Sequence, residues 1–233
     1  KIDVTFLVQE GPRVFVERIN ITGNTRTVDK VIRREIELVE GDAFNTAQVR
    51  RSQQRLRNLG FFETVEMNNV PGTAPDKTVI NVEVEEKSTG ELSLGAGFST
   101  SEGAIGDFGI REKNLLGQGQ DLSLSFTLSQ RTQEIDLSFT EPRFLDRNLS
   151  AGVDLFRVTR DFNAESGFRQ RSTGFNLRTS YEIVYPITQS LKYGFTRDRI
   201  EDLDANASRF IRAQAGTTST SFVTQDLLYD RRD

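Results

Sequence analysis

Neither histidine nor cysteine occurs in this chain of 233 residues. That removes thiol nucleophiles, disulfides, the usual zinc ligands and every His-dependent triad in one step. Carboxylates, hydroxyls, guanidiniums and glycines remain, and three groupings of them could do chemistry. Asp107 or Glu112 with Arg111 could line a pocket, although a solvated or lumenal ion pair explains them far better. Gly90, Gly95 and Gly97 fall inside a strand pattern and lack the helix and lysine that a phosphate cradle requires. Glycines in a strand instead weaken it or allow close backbone approach. Asp226 to Asp233 holds several carboxylates that could take a hard cation, or simply form a charged strand end. The expectation is a protein that is not an enzyme, with no catalytic residues, no metal and no cofactor.

Composition narrows the class. The net charge of −4 gives no basic field for nucleic acid. No apolar run approaches the ~18 residues of a membrane helix. A membrane barrel is not excluded, because alternating strands keep overall hydropathy low. The absence of cysteine is compatible with an oxidising envelope compartment. Lys1 enters a strand pattern directly, with no signal peptide, so the chain is expected to be an internal fragment of a longer precursor.

These residues are positioned by elements that change character between Thr78 and Ser99. Ile80, Val82 and Val84 share one face of a strand; Lys87-Ser88-Thr89-Gly90 interrupts it. A second strand then sets Leu92, Leu94, Ala96 and Phe98 against Glu91, Ser93, Gly95, Gly97 and Ser99. Helices are expected only upstream of this joint.

The upstream pattern reads β-α-α-β-β. Ile2, Val4, Phe6 and Val8 form a strand stopped by Gly11-Pro12, and its pattern recurs at Ile80, Val82 and Val84, which suggests tandem modules. Residues 1–11 are therefore expected to close a preceding module, with a complete one over 12–88. Val14 to Ile21 is a strand. A helix is expected from about Val28 to Val39, with Thr27 as N-cap and Val28, Val31, Ile32, Ile36 and Val39 at helical spacing. Asn45 to Gln48 resembles a capping box, opening a helix to about Leu59 that buries Val49, Leu56 and Leu59 and ends at Gly60. Its other face carries Arg50, Arg51, Arg55 and Arg57. Strands follow at Phe61 to Met67 and Thr78 to Glu86. Arg33, Arg34, Glu37 and Glu40 are available to a partner, or form a solvated helix face.

From Glu91 onward eight candidate strands alternate, each near the ~9–11 residues that cross a bilayer when tilted. Leu122, Leu124, Phe126 and Leu128 oppose Asp121, Ser123, Ser125 and Thr127; Leu149, Ala151, Val153 and Leu155 oppose Ser150, Gly152 and Asp154. Segments Ala104 to Asn114 and Ser221 to Tyr229 match less well. A soluble β-sandwich also alternates. Charges within the polar faces favour a wet lumen instead. So do short connections at Leu115 to Gly119, Pro142 to Asn148 and Tyr185 to Gln189, against long ones at Thr159 to Arg171 and Arg199 to Thr220. Phe144, Phe156, Tyr181, Tyr185 and Tyr229 are expected near strand ends as an aromatic girdle, though no tryptophan joins them.

Arg18 to Thr25 (RINITGNT) and Leu56 to Val65 (LRNLGFFETV) resemble a POTRA domain. Glu112 to Gly119 (EKNLLGQG), Thr140 to Phe144 (TEPRF) and Tyr229 to Asp233 (YDRRD) resemble segments in the first half of the membrane barrel of the BamA family of outer-membrane assembly factors. The resemblance spans essentially the whole chain. It implies an α+β POTRA domain followed by the N-terminal half, residues 89–233, of an antiparallel transmembrane β-barrel. It further implies folding and insertion of β-barrel proteins at the bacterial outer membrane, with the POTRA domain in the periplasm. The strand Glu91, Leu92, Ser93, Leu94, Gly95, Ala96, Gly97, Phe98 would be one edge of a lateral gate that pairs with client strands. The helix end and loop from Glu40 to Phe44 would face a periplasmic lipoprotein subunit of the BamD type. Partners would thus be such lipoproteins, unfolded clients and outer-membrane lipid. A polypeptide secretion pore of the two-partner type, or a passive structural barrel, are the alternatives on the same scaffold.

Overall fold

The computed structural model describes residues 13–205 and 207–231. The strand expected at residues 1–11 lies outside them, as do Arg232 and Asp233. The chain divides into two compact units between Thr89 and Gly90.

The first unit runs β1 (Phe15–Thr22), α1 (Asp29–Arg33), α2 (Thr46–Asn58), β2 (Phe62–Pro71) and β3 (Lys77–Glu86). Its sheet has the order β1-β3-β2, with β3 parallel to β1 and antiparallel to β2. The alternation of Ile80, Val82 and Val84 puts all three into one core with Val16, Ile32, Leu56 and Val65. Each such side chain fully withdrawn from water contributes about 1.5–3 kcal/mol. Asn45 caps α2 as its sequence suggests, its side chain accepting from the amides of Ala47 at 2.9 Å and Gln48 at 3.4 Å.

The first helix is shorter than its periodicity predicts. It ends at Arg33, and its N-cap is Val28 rather than Thr27. Beyond it, residues 41–44 run beside the start of β1: Gly41 N–H donates to Val16 O, Val16 N–H to Asp42 O and Phe44 N–H to Val14 O, each at 2.8 Å. A valine- and isoleucine-rich segment gains little as helix, and these strand-like bonds satisfy its end. The inward phase shifts with it. Leu38 is 2% exposed, whereas Val39, expected inside, is 60% exposed.

The Gly23-Asn24-Thr25 loop is built around one carboxylate. Glu86 accepts from the amides of Thr25 at 3.0 Å, Arg26 at 2.9 Å and Thr27 at 2.6 Å, and from the Thr25 hydroxyl at 2.8 Å. Burial pushes its pKa up, but the hydrogen bonds from Thr27, Arg26 and Thr25 outweigh it and hold the group at about 2. Gly23 makes the turn with φ +90°, and a Cβ there would overlap the carbonyl of Val84.

The second unit is one antiparallel sheet of eight strands in chain order. These are β4 (Gly90–Ser99), β5 (Gly103–Leu115), β6 (Gln120–Ser129), β7 (Thr132–Glu141), β8 (Leu149–Asp161), β9 (Arg169–Val184), β10 (Ile187–Glu201) and β11 (Gly216–Tyr229). The two segments with the poorest alternation, β5 and β11, are full strands because their neighbours fix them through long ladders. Residues opposite each other share a face, so the pairings Leu92-Ile110-Leu124-Leu137-Leu155-Phe175-Phe195 trace one apolar row across seven strands. Among the described residues no second sheet covers that face: Leu92, Leu94 and Phe98 are 66%, 75% and 80% exposed. The sandwich alternative therefore fails.

Two details depart from the sequence reading. Short and long connections do not alternate evenly. Residues 100–102 and 130–131 are tight turns on the side expected to be long, and only 162–168 and 202–215 are longer. β8, β9 and β10, at 13, 16 and 15 residues, extend into what reads as loop. Phe156 is not part of a girdle. It pairs with Gly174, on the face of Asp136 and Asp154.

Two outcomes are expected for the first unit, both read from hydrogen exchange of β3 amides. Gly23→Ala should destabilise it by about 2–3 kcal/mol, combining left-handed strain with the Val84 overlap. Glu86→Gln should cost about 1–2 kcal/mol at pH 7, after allowance for solvent screening. Because folding lowers this carboxyl's pKa from 4.5 to about 2, its contribution is complete above 4.5 and is lost as pH falls toward 2. The gap between wild type and variant should close over that window.

Candidate functional site

All eight residues expected in a gate strand, Glu91 to Phe98, lie in β4, at one edge of the eight-stranded sheet. Side chains tie β4 to β5 only sparsely. Glu91 forms an ion pair with Lys113, and the Ser93 hydroxyl donates to Gly109 O at 3.4 Å. Beyond them the polar face carries Gly95 opposite Asp107 and Gly97 opposite Ile105. A Cβ on Gly97 would meet nothing within 4 Å. The backbone ladder is thus the main attachment of this half of β4.

Interior strands are tied more heavily. Arg178 on β9 donates to Asp154 on β8 at 2.8 Å, and to Ser138 at 3.0 Å and Thr140 at 3.1 Å on β7. Asp154 also accepts from the Ser138 hydroxyl at 2.8 Å. Two aromatic rings lie over glycines on the same polar face. Phe156 covers Gly174, and Phe222 covers Gly194, with the Lys192 ammonium 5.8 Å from the Phe222 ring. These glycines supply room for a ring, which the bare alternation of the sequence does not reveal. The Arg178 network was likewise missed; its signal is two charges at opposed strand positions, legible only once register is known.

The three groupings that could do chemistry do not assemble. Arg111 pairs with Asp121, Asp107 accepts from the Thr127 hydroxyl at 2.7 Å, and Glu112 accepts from the Asn114 amide at 2.8 Å. Gly90, Gly95 and Gly97 lie within β4, without the helix a phosphate cradle needs. No cluster of carboxylates suited to a metal ion occurs among the described residues.

Of the residues expected to meet a partner, Arg33 bonds Asp29 at 3.0 Å and approaches Glu40 at 3.9 Å. Glu40 also accepts from the Ile19 amide at 3.2 Å. Glu37 is held by Arg51 at 2.9 Å and Arg55 at 3.7 Å, and Arg34 lies 3.7 Å from Glu35. Phe44 packs partly into the core. The set is therefore a connected surface with internal ion pairs rather than a row of free charges. A second edge lies on β2, where Gln53 at 2.8 Å and Arg57 at 3.3 Å donate to the Val65 carbonyl. Asn68, Asn69 and Val70, further along, are exposed.

Comparison with known proteins adds to this geometry. Residues 114–233 match the Omp85 superfamily domain, and residues 14–87 match the POTRA family described as a surface antigen variable number repeat. The chain is 31% identical to the outer membrane protein assembly factor BamA of Neorickettsia risticii, over 100% of this chain and 31% of that protein. It is 34% identical to BamA of Neisseria meningitidis serogroup B, over 78% of this chain and 24% of that protein. The chain thus spans a third or less of the length of these curated relatives. A crystal structure of BamA from Haemophilus ducreyi lacking POTRA domains 1–3 superposes with TM-score 0.74 at 26% identity, over 93% of this chain and 43% of that one.

Adding a methyl group should separate the two kinds of glycine. Gly194→Ala must displace the Phe222 ring, and Gly174→Ala both the Phe156 ring and the Phe195 carbonyl, so each should cost about 1–3 kcal/mol, Gly174→Ala the more. Gly97→Ala should change stability by less than about 0.5 kcal/mol. Urea unfolding in detergent micelles measures the difference.

Proposed function

The chain belongs to the Omp85 superfamily, and from that premise we propose that it is part of a factor that folds and inserts β-barrel proteins at the bacterial outer membrane. The observation that carries this reading is the apolar row from Leu92 to Phe195, exposed at Leu92, Ile110, Leu124 and Leu155 and half-buried at Leu137, Phe175 and Phe195, on a sheet with no covering layer among the described residues. In water such a surface favours aggregation; against acyl chains it is stable. Its opposite face, with Asp154, Arg178, Asp136 and Glu134, suits a wet lumen. The POTRA unit stands in the periplasm.

Two edges then act on clients. The stretch of β2 from Met67 to Val70 accepts an extended segment by backbone pairing, upstream of the membrane. β4, poor in side-chain ties, separates from the strand that closes the barrel and offers its free N–H and C=O groups to an incoming strand. Each such group left unpaired in hydrocarbon costs several kcal/mol, which drives the pairing. The surface around Arg33, Arg34, Glu37, Glu40 and Phe44 receives a periplasmic lipoprotein of the BamD type. This account needs no covalent step and no cofactor.

These 233 residues hold no cysteine, so a thiol introduced on β4 meets no competing one within them. In the full-length protein, a disulfide from Ser93→Cys to a cysteine on the closing strand should slow insertion of a client barrel into proteoliposomes at least tenfold. Reductant should restore the rate. Insertion at full rate by the locked protein would rule out opening at β4.

A further inference from the structure

On the outward face, three neighbouring strands change chemistry at the same level. Along β8 the outward residues are Val153, Leu155, Arg157 and Thr159. Along β9 they are Leu177, Phe175, Thr173 and Arg171. Along β10 they are Tyr193, Phe195, Arg197 and Arg199. The register puts Arg157, Thr173 and Arg197 in one row, and Thr159, Arg171 and Arg199 in the next. Apolar rows thus give way to arginine toward the end of the sheet that carries the connections 162–168 and 202–215. This is the end opposite Gly90, where the chain enters the sheet.

A cavity of about 410 Å³ opens at this level. Phe126 and Ile135 line its apolar side; Arg131, Arg157, Arg169 and Arg171 line its basic side. Several of the guanidiniums are already engaged. Arg169 is shared by Asp161 at 3.1 Å and Asp202 at 2.7 Å, while Glu201 holds Arg171 at 2.8 Å and Arg199 at 3.2 Å. Three carboxylates thus hold Arg169, Arg171 and Arg199. Arg157 and Arg197 have no ion pair within the described residues, and the buried Nε of Arg171 has no hydrogen-bond partner.

We infer that this is a binding site for a glycolipid bearing two phosphates on its sugar headgroup, in the leaflet at the end of the sheet opposite Gly90. The inference rests on the membrane reading above and adds a ligand to it. Acyl chains would lie on the Leu155-Phe175-Phe195 row and on Phe126 and Ile135, which continue the Arg157-Thr173-Arg197 row on β6 and β7, and phosphates would meet the arginines of β8 to β10. Guanidinium groups bind phosphate oxygens bidentately, and more strongly away from bulk water. Arg157 and Arg197 stand two strands apart, about 10 Å. At that span their long side chains can each take a separate phosphate, as the two ends of a disaccharide present them, besides converging on one.

The probe is bisphosphorylated lipid A, titrated onto the full-length protein in dodecyl maltoside and read by native mass spectrometry. Dephosphorylated lipid A and inorganic phosphate serve as comparisons. Wild type should bind the bisphosphorylated probe at least tenfold more tightly than the dephosphorylated one, and inorganic phosphate should not compete at equimolar concentration. Arg157→Gln with Arg197→Gln should weaken binding at least tenfold, each single change about threefold, and Arg157→Lys with Arg197→Lys, which keeps the charge but not the bidentate fork, should fall between wild type and the double Gln variant. Heat-modifiable gel mobility checks folding, and the single variants serve if the double variant does not fold. Equal binding of the dephosphorylated probe, or Gln variants within twofold of wild type, would overturn the site. Leu155→Cys in proteoliposomes separates the two levels of the argument. Protection from a water-soluble maleimide, with arginine variants that bind normally, defeats only the glycolipid site. Labelling as fast as an exposed loop cysteine defeats the membrane reading itself.

Discussion

Backbone hydrogen bonding without water is the constraint on which the second unit depends. A strand in hydrocarbon must find partners on both sides, because each orphaned amide or carbonyl costs several kcal/mol. The ladder from β4 to β11 meets that demand for every interior strand. Once the ladder is fixed, so is the face of each residue, since neighbouring positions alternate. The apolar rows and the charged network of Arg178 and Asp154 are then obligatory consequences of register. Packing adds the finer adjustments: Phe156 over Gly174 and Phe222 over Gly194 join neighbouring strands where the polar face would otherwise have a gap.

The first unit solves a different problem, in water, with a compact core between two helices and a three-stranded sheet. Its central strand β3 both supplies the core residues Ile80 and Val82 and ends on Glu86. That carboxylate gathers three successive amides of the loop after β1. The threonine of the loop is thus explained by a partner 61 residues away, the glycine by the close approach of Val84, and the asparagine by its own bond to the Thr27 carbonyl at 3.0 Å. Local turn preferences alone would leave the amides of Arg26 and Thr27 unaccounted for.

Strong periodicity was legible in the sequence, and so were the cap at Asn45 and the joint near Gly90. Eight alternating segments became eight strands, and the β-α-α-β-β order of the first unit held. What the sequence did not show was competition between elements. The helix expected to reach Val39 lost to strand-like pairing of residues 41–44 with β1, which no local signal announces. Phe156 looked like a girdle residue because its partner, Gly174, was unknown. Strand ends around Arg160, Arg171 and Arg199 read as loop because charge usually marks solvent, yet the ladder carries them as strand. The candidate edge strand was legible as a segment; its scarcity of side-chain ties appeared only with the neighbour in place.

Helix α2 reaches past its own layer to occupy the Val65 carbonyl with Gln53 and Arg57. A polypeptide zipping onto β2 finds that acceptor taken, so its first rung has to form further along, toward Val70. The offset of an added strand would then be dictated by two helix side chains, leaving the guest's own sequence to choose only which residues face inward.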